Sequence, residues 1–208
     1  MAARPPGQSF FAVLSGMFCR FYFLLLLLLL ATPARAQRLD TPLAEPPTGF
    51  HWQPLPEAKA ALLLPDGWYF RPDVQKTSLT YYLTQDQMGE SGQYQAGLSL
   101  HIVRRAKKYT RLPAPTYAER LMLRAGFGRG QRQQEQGSRA EGPLTLRWVR
   151  YREALPDAEP RMVYQLAMAN GKTDTLYLLV FEGPEKEWAE LWPLGQTMVR
   201  ELTLDSKL

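Results

Sequence analysis

Apolar and polar residues alternate with a period of two at Leu144, Leu146 and Trp148, which are separated by Thr145 and Arg147. The same pattern returns at Met162, Tyr164, Leu166 and Met168. Successive side chains of a strand point to opposite faces, so both stretches predict strands with one buried face. Residues 176–181 are apolar throughout, which predicts a central strand covered on both sides. Residues 60–64 form a short apolar run closed by Pro65-Asp66-Gly67, a strand followed by a tight turn. Residues 78–84 and 97–103 are rich in β-branched and aromatic side chains and predict an antiparallel pair around the Gly89-Glu90-Ser91-Gly92 loop. Asn170-Gly171 predicts a hairpin with a type I′ turn, because both residues tolerate a positive φ.

A period near 3.6 marks two helices. Thr116 and Glu119 have capping-box spacing, and Ala118, Leu121, Met122 and Ala125 follow at helical intervals, predicting a helix over 117–125 stopped by Gly126 and Gly128. Gly183-Pro184 predicts the start of a last helix, with proline at its first position and Trp188, Leu191, Trp192, Met198, Val199 and Leu202 as its apolar stripe. Pro193 lies inside that stripe and predicts a kink or two shorter helices. Residues 131–136, rich in glutamine, read as an exposed loop. Strands, a helix, more strands and a closing helix give the fold class: α+β, a mostly antiparallel β-sheet with helices on both faces, an α/β/α sandwich.

The same residues carry a resemblance. Leu64-Pro65-Asp66-Gly67-Trp68 resembles the short strand and P-x-G-W opening of PsbP-like domains, named after an extrinsic protein of photosystem II. Tyr177-Leu178-Leu179-Val180-Phe181-Glu182-Gly183-Pro184, followed by Trp188 and a helix running to Leu202-Thr203-Leu204, is similar to that family's last strand and closing helix. The resemblance covers about residues 60–205. It implies an α/β/α sandwich and an exported accessory or binding role without catalysis. It implies no photosystem binding, and no ligand or partner residue transfers from it, since a fold does not fix a function.

The first 36 residues change the picture of where the chain works. Arg4 and Arg20 precede an unbroken apolar run over 21–30, and Ala31-Thr32-Pro33-Ala34-Arg35-Ala36 supplies the small-residue cleavage box of a secretory signal. The run is about half of the roughly 20 apolar residues a spanning helix needs, so cleavage after Ala36 is the expectation and an uncleaved anchor the alternative. Membrane attachment follows only in the second case. Cys19, the single cysteine, precedes the run, so a chain starting at Gln37 holds no thiol, disulfide or thiolate metal site. Residues 37–58, with Pro42, Pro46, Pro47, Pro54 and Pro56, read as a proline-rich arm or linker before a single domain over 59–208.

Past residue 36 the chain carries 22 basic and 20 acidic residues, so the pI near 9.4 of the whole sequence overstates the basicity of the domain. The charge is unevenly placed. Residues 101–139 hold ten basic residues and two acids. Arg104, Arg105, Lys107, Lys108 and Arg111 concentrate it around Tyr109 and form a candidate patch for an anionic partner; a solvated strand end is the plainer reading.

The inventory for catalysis is thin. His51 and His101 are the only imidazoles; His101 shares a strand face with Ser99, but no G-x-S-x-G elbow presents a serine. Two distant histidines and no cysteine make a poor set for borderline metals, and Glu182, Glu185, Glu187 and Glu190 fall where a helix start favours negative charge. Gly126-x-Gly128-x-Gly130 follows a helix instead of a strand and cannot set phosphates on a helix start. The basic run lacks the spaced aromatics of single-strand nucleic-acid binders. No catalytic, cofactor-binding or metal residue is assigned. The expectation is an exported, non-enzymatic accessory or binding protein of the cell envelope, its partner an unknown protein or anionic envelope component and not nucleic acid. The alternative is an envelope hydrolase whose site is built from dispersed carboxylates.

Overall fold

Thr175–Pro184, the strand apolar on both faces, occupies the middle of a seven-stranded sheet. The computed structural model describes residues 43–75, 78–89 and 92–204. Among these, the chain runs β1 (Phe50–Leu55), β2 (Ala60–Pro65), β3 (Tyr69–Val74), β4 (Leu79–Thr84), β5 (Gly97–Val103), α1 (Ala106–Thr110), α2 (Ala114–Arg124), β6 (Gln131–Glu141), β7 (Leu144–Glu153), β8 (Arg161–Asn170), β9 (Thr175–Pro184), α3 (Trp188–Arg200) and β10 (Thr203–Leu204). The large sheet has the order β3-β4-β5-β9-β8-β7-β6 with every neighbouring pair antiparallel, and β1-β2-β10 form a smaller sheet. The expected signal segment, residues 1–36, lies outside the described residues.

Each face of the large sheet is covered, as the fully apolar β9 requires. On one face, α3 and the small sheet bury Leu83, Leu98, Leu100, Phe181, Leu62 and Met198. Phe181 is the hub there: its ring centroid lies 6.5 Å from Trp68, 5.7 Å from Trp188 and 6.0 Å from Trp192. Such aromatic pairs add about 0.5–1.5 kcal/mol each beyond the apolar area they bury. On the other face, α1 and α2 set Ala106, Ala114, Ala118 and Met122 against Val149, Val163, Ala167 and Leu176. The alanines let α2 lie close to the sheet, and its polar side is left outward. The α+β class, with helices on both faces of an antiparallel sheet, is the observed architecture.

Several local expectations are corrected. The domain starts before Lys59: β1 pairs with β2 from Phe50↔Pro65 to Leu55↔Ala60, so residues 50–58 belong to the fold and not to an arm. Pro54 is tolerated because β1 is an edge strand, where a missing N–H costs no ladder bond. Edge position also explains β3, which contains Pro72, and β6, whose glutamine-rich start reads as a loop yet pairs along β7. The helix begins at Ala114, three residues before the expected start; Thr116 and Glu119 make no capping box, and Glu119 reaches Arg147 at 3.1 Å instead.

Asn170-Gly171 forms no two-residue turn. Asn170 pairs with Thr175, leaving a four-residue loop in which Asn170 Oδ1 accepts from the backbone N–H of Lys172 (3.0 Å) and Thr173 (3.2 Å). Pro184 closes β9 instead of opening a helix, a 3-10 turn over Glu185–Glu187 follows, and α3 runs unbroken through Pro193. Pro193 is the sixth residue of α3, so the helix forgoes the one bond that an N–H there would make to the Ala189 carbonyl.

Candidate functional site

The helical layer on the α1–α2 side is held to the sheet by one residue of the β8–β9 loop. Asp174 adopts a left-handed backbone (φ 53°), and its carbonyl accepts from Ala106 N–H at 2.8 Å. Its carboxylate accepts from Lys107 N–H (Oδ2, 2.8 Å) and from Ala114 N–H (Oδ1, 2.9 Å). A single anion thus satisfies donors left free at the starts of both helices, the work that a capping side chain normally does from within its own helix. Arg105 (φ 54°) and Arg111 (φ 65°) bracket α1 in the same left-handed conformation, so the short helix is turned sharply at each end.

That framework displays the basic run. Arg105, Lys107, Lys108 and Arg111 are exposed on or beside α1, and the Lys108 ammonium lies 5.4 Å from the Tyr109 ring centroid. Arg104, expected with them, is exposed but diverted: its guanidinium donates to the carbonyl of Glu57, next to the small sheet. The layer extends the patch where it was not singled out from sequence. Arg120 and Arg124 lie on the outer side of α2, opposite Ala114, Ala118 and Met122, and Arg129 follows in the turn beyond.

Among the described residues, Arg105, Lys107, Lys108, Arg111, Arg120, Arg124 and Arg129 have no ion-pair partner. Elsewhere most cations are matched, Arg147 with Glu119, Arg150 with Glu135, Arg152 with Glu185, Arg161 with Glu182 and Lys186 with Glu159, while Arg71, Arg132 and Lys172, dispersed over the chain, have no ion-pair partner among the described residues. The Arg152 hydrogen bond holds the Glu185 carboxyl below its ordinary range. Of the acids expected around a helix start, Glu182 lies on β9, Glu185 and Glu187 in the 3-10 turn, and Glu190 in the first turn of α3.

Large apolar side chains accompany the cations. Tyr109, Leu123 and Phe127 are 46%, 66% and 69% exposed. Leu155, also exposed, lies against the turn after α2, its Cδ2 3.4 Å from where a Cβ on Gly130 would stand. Leu123 was absent from the helical stripe of Ala118, Leu121, Met122 and Ala125, which is the sequence signal that it faces outward.

The Ser99–His101 pair exists, and it is wired for structure. His101 Nε2 lies 3.1 Å from Ser99 Oγ, while Nδ1 lies 3.2 Å from Thr80 Oγ1. Burial pushes the neighbouring Tyr94 phenol far above the ordinary range, and the Glu182 charge adds to the rise. Both ring nitrogens are satisfied when Thr80 donates to Nδ1 and Nε2–H donates to Ser99. Burial pushes the His101 pKa down, favouring the neutral ring that this chain requires. Among the described residues the imidazole meets no carboxylate, and Ser99 is buried. His51 pairs with Asp66 at 3.1 Å on the surface, far along the chain from His101.

A groove of about 860 Å³ opens between α3 and β6–β8, floored by Leu146, Trp148, Leu166, Met168 and Trp192 and edged by the Arg150–Glu135 pair at 3.0 Å. Burial raises the Tyr164 phenol there to about 12. Among the described residues no group of three or more His, Cys, Asp or Glu is placed to hold a metal ion, and no helix is long and apolar enough to cross a membrane.

No protein-family model and no curated protein matches the chain. Among solved structures it is similar to the Ran-binding protein Mog1p of Saccharomyces cerevisiae, at 12% identity over 74% of this chain and 95% of that one, with a TM-score of 0.47. It is similar to the cyanobacterial PsbP, CyanoP, of Synechocystis, at 15% identity over 80% and 99%, with a TM-score of 0.49. A Pseudomonas aeruginosa protein of unknown function matches at 14% identity over 73% and 94%, with a TM-score of 0.42. A PsbP domain, the resemblance drawn from the sequence, is thus among these likenesses of fold.

Proposed function

We propose that this protein is an exported, non-enzymatic accessory module that binds an anionic component of the cell envelope on the outer face of α1 and α2. The observation that carries this reading is the concentration of seven exposed cations without an ion-pair partner in one helical layer, whereas most other cations among the described residues are matched by acids. Like charges held together raise a positive potential that draws in polyanions. Cations that served only solubility would gain from being dispersed among acids. The non-enzymatic part is supported by a serine and histidine committed to a buried chain without an orienting acid, and by carboxylates engaged in ion pairs. The exported part rests on the charged, apolar and small-residue order of residues 1–36.

Retention on immobilised polyphosphate tests the reading. The protein is expected to be retained at low salt and released as salt screens the surface. Charge reversal by Lys107→Glu, Lys108→Glu and Arg111→Glu together is expected to abolish retention at the salt that holds the wild type. Equal retention of wild type and variant sinks the proposal, and turnover of a substrate lost on His101→Ala sinks its non-enzymatic part. Mass measurement of the released protein checks export: the account expects a product starting at Gln37.

A further inference from the structure

We infer that the anionic component is a lipid bilayer surface, against which α2 lies flat with Leu123 and Phe127 buried among the lipid headgroups. This rests on the reading of the α1–α2 face given above and goes further by naming the partner's chemistry. A soluble polyanion is recognised by charge alone and gains nothing from greasy side chains set between the cations. A bilayer interface rewards both: anionic headgroups meet the arginines while apolar groups reach the acyl boundary.

The outer face of this layer has both properties. Arg120 and Leu123, three residues apart, are exposed on α2 together with Arg124, opposite Ala114, Ala118 and Met122, and exposed Phe127 follows in the turn beyond the helix, where its backbone N–H donates to the Arg124 carbonyl at 3.4 Å. Leu155 adds apolar surface at the same end through its contact with the Gly130 turn. At the other end Tyr109, with Lys108 over its ring, provides the amphipathic aromatic that suits a headgroup layer. Glu119, the acid within α2, is drawn toward Arg147 on β7 and does not oppose the cations. Single exposed leucines are ordinary, but here Tyr109, Leu123, Phe127 and Leu155, four of the six exposed large apolar side chains among the described residues, lie on or against this one layer.

Co-sedimentation with phosphatidylcholine vesicles and with mixed phosphatidylcholine–phosphatidylglycerol vesicles tests the inference, with polyphosphate retention measured in parallel. Phosphatidylcholine vesicles report any binding that residues 1–36 contribute. The wild type is expected to bind the anionic vesicles at least about tenfold more tightly than the neutral ones, since each basic residue near such a surface adds about fivefold. Leu123→Ser with Phe127→Ser is expected to weaken anionic-vesicle binding about tenfold or more while leaving polyphosphate retention unchanged. Both positions are exposed, and a urea midpoint matching the wild type confirms that the variant is folded. If the double variant binds anionic vesicles as the wild type does, or if the wild type holds polyphosphate and ignores anionic vesicles, the bilayer inference is overturned and the broader binding role stands. If neither probe is bound, both fall.

Discussion

At the scale of single residues, Asp174 does more for the site than any cation in it. Its carboxylate and carbonyl hold three backbone donors from α1 and α2, and it adopts a φ that alanine takes at a cost. Asp174→Ala is expected to lower stability by about 1–3 kcal/mol, measured by urea denaturation, and Asp174→Asn by less, since asparagine keeps an acceptor and tolerates the left-handed region. His101 gives a pH signature. Burial lowers its folded pKa below the unfolded value near 6.5, so stability is full above that value and is lost as pH falls through the folded pKa. Protonation would place a second donor opposite Thr80, whose hydroxyl must then turn. His101→Gln is expected to flatten the decline in thermal midpoint between about pH 7 and pH 5; an unchanged slope would assign the decline to other groups.

At the scale of elements, the packing of α3 on β9 leaves no room at Gly195. A Cβ there would stand 2.7 Å from the ring of Phe181, which is fully buried between aromatic neighbours and cannot retreat. Gly195→Ala is expected to destabilise by about 1–3 kcal/mol despite alanine's better helix propensity, a sign that a denaturant titration reads directly. Elements with a clear hydrophobic pattern were legible in the sequence: β7 and β8 by alternation, β9 by its unbroken apolar run, α2 by its stripe; β8 was expected with one buried face but is buried on both, Leu166 and Met168 on one side and Val163, Ala167 and Ala169 on the other. Edge elements were not. β3 and β6 expose both faces and have no pattern to show, β1 hides behind its prolines, and α1 is too short to display a period. The α2 start was misplaced because its cap comes from Asp174, 60 residues further along the chain, beyond the reach of any local motif.

For the whole molecule, sequence located the site's charge but not its shape. The run from Arg104 to Arg111 was visible as composition, whereas the diversion of Arg104 to Glu57 and the addition of Arg120, Arg124 and Arg129 follow from how the chain folds back. The ion pairs that quiet most of the other cations join segments distant in sequence, so the contrast that marks this face exists only in three dimensions. On the proposed function, partners meet the protein on α1 and α2 and not in the groove beside α3. Backbone amide shifts recorded while polyphosphate is titrated in separate the two. Perturbations are expected to concentrate at residues 105–111 and 120–129; shifts confined to the groove floor around Leu146, Trp148 and Trp192, with α1 and α2 unmoved, would overturn the proposed binding face.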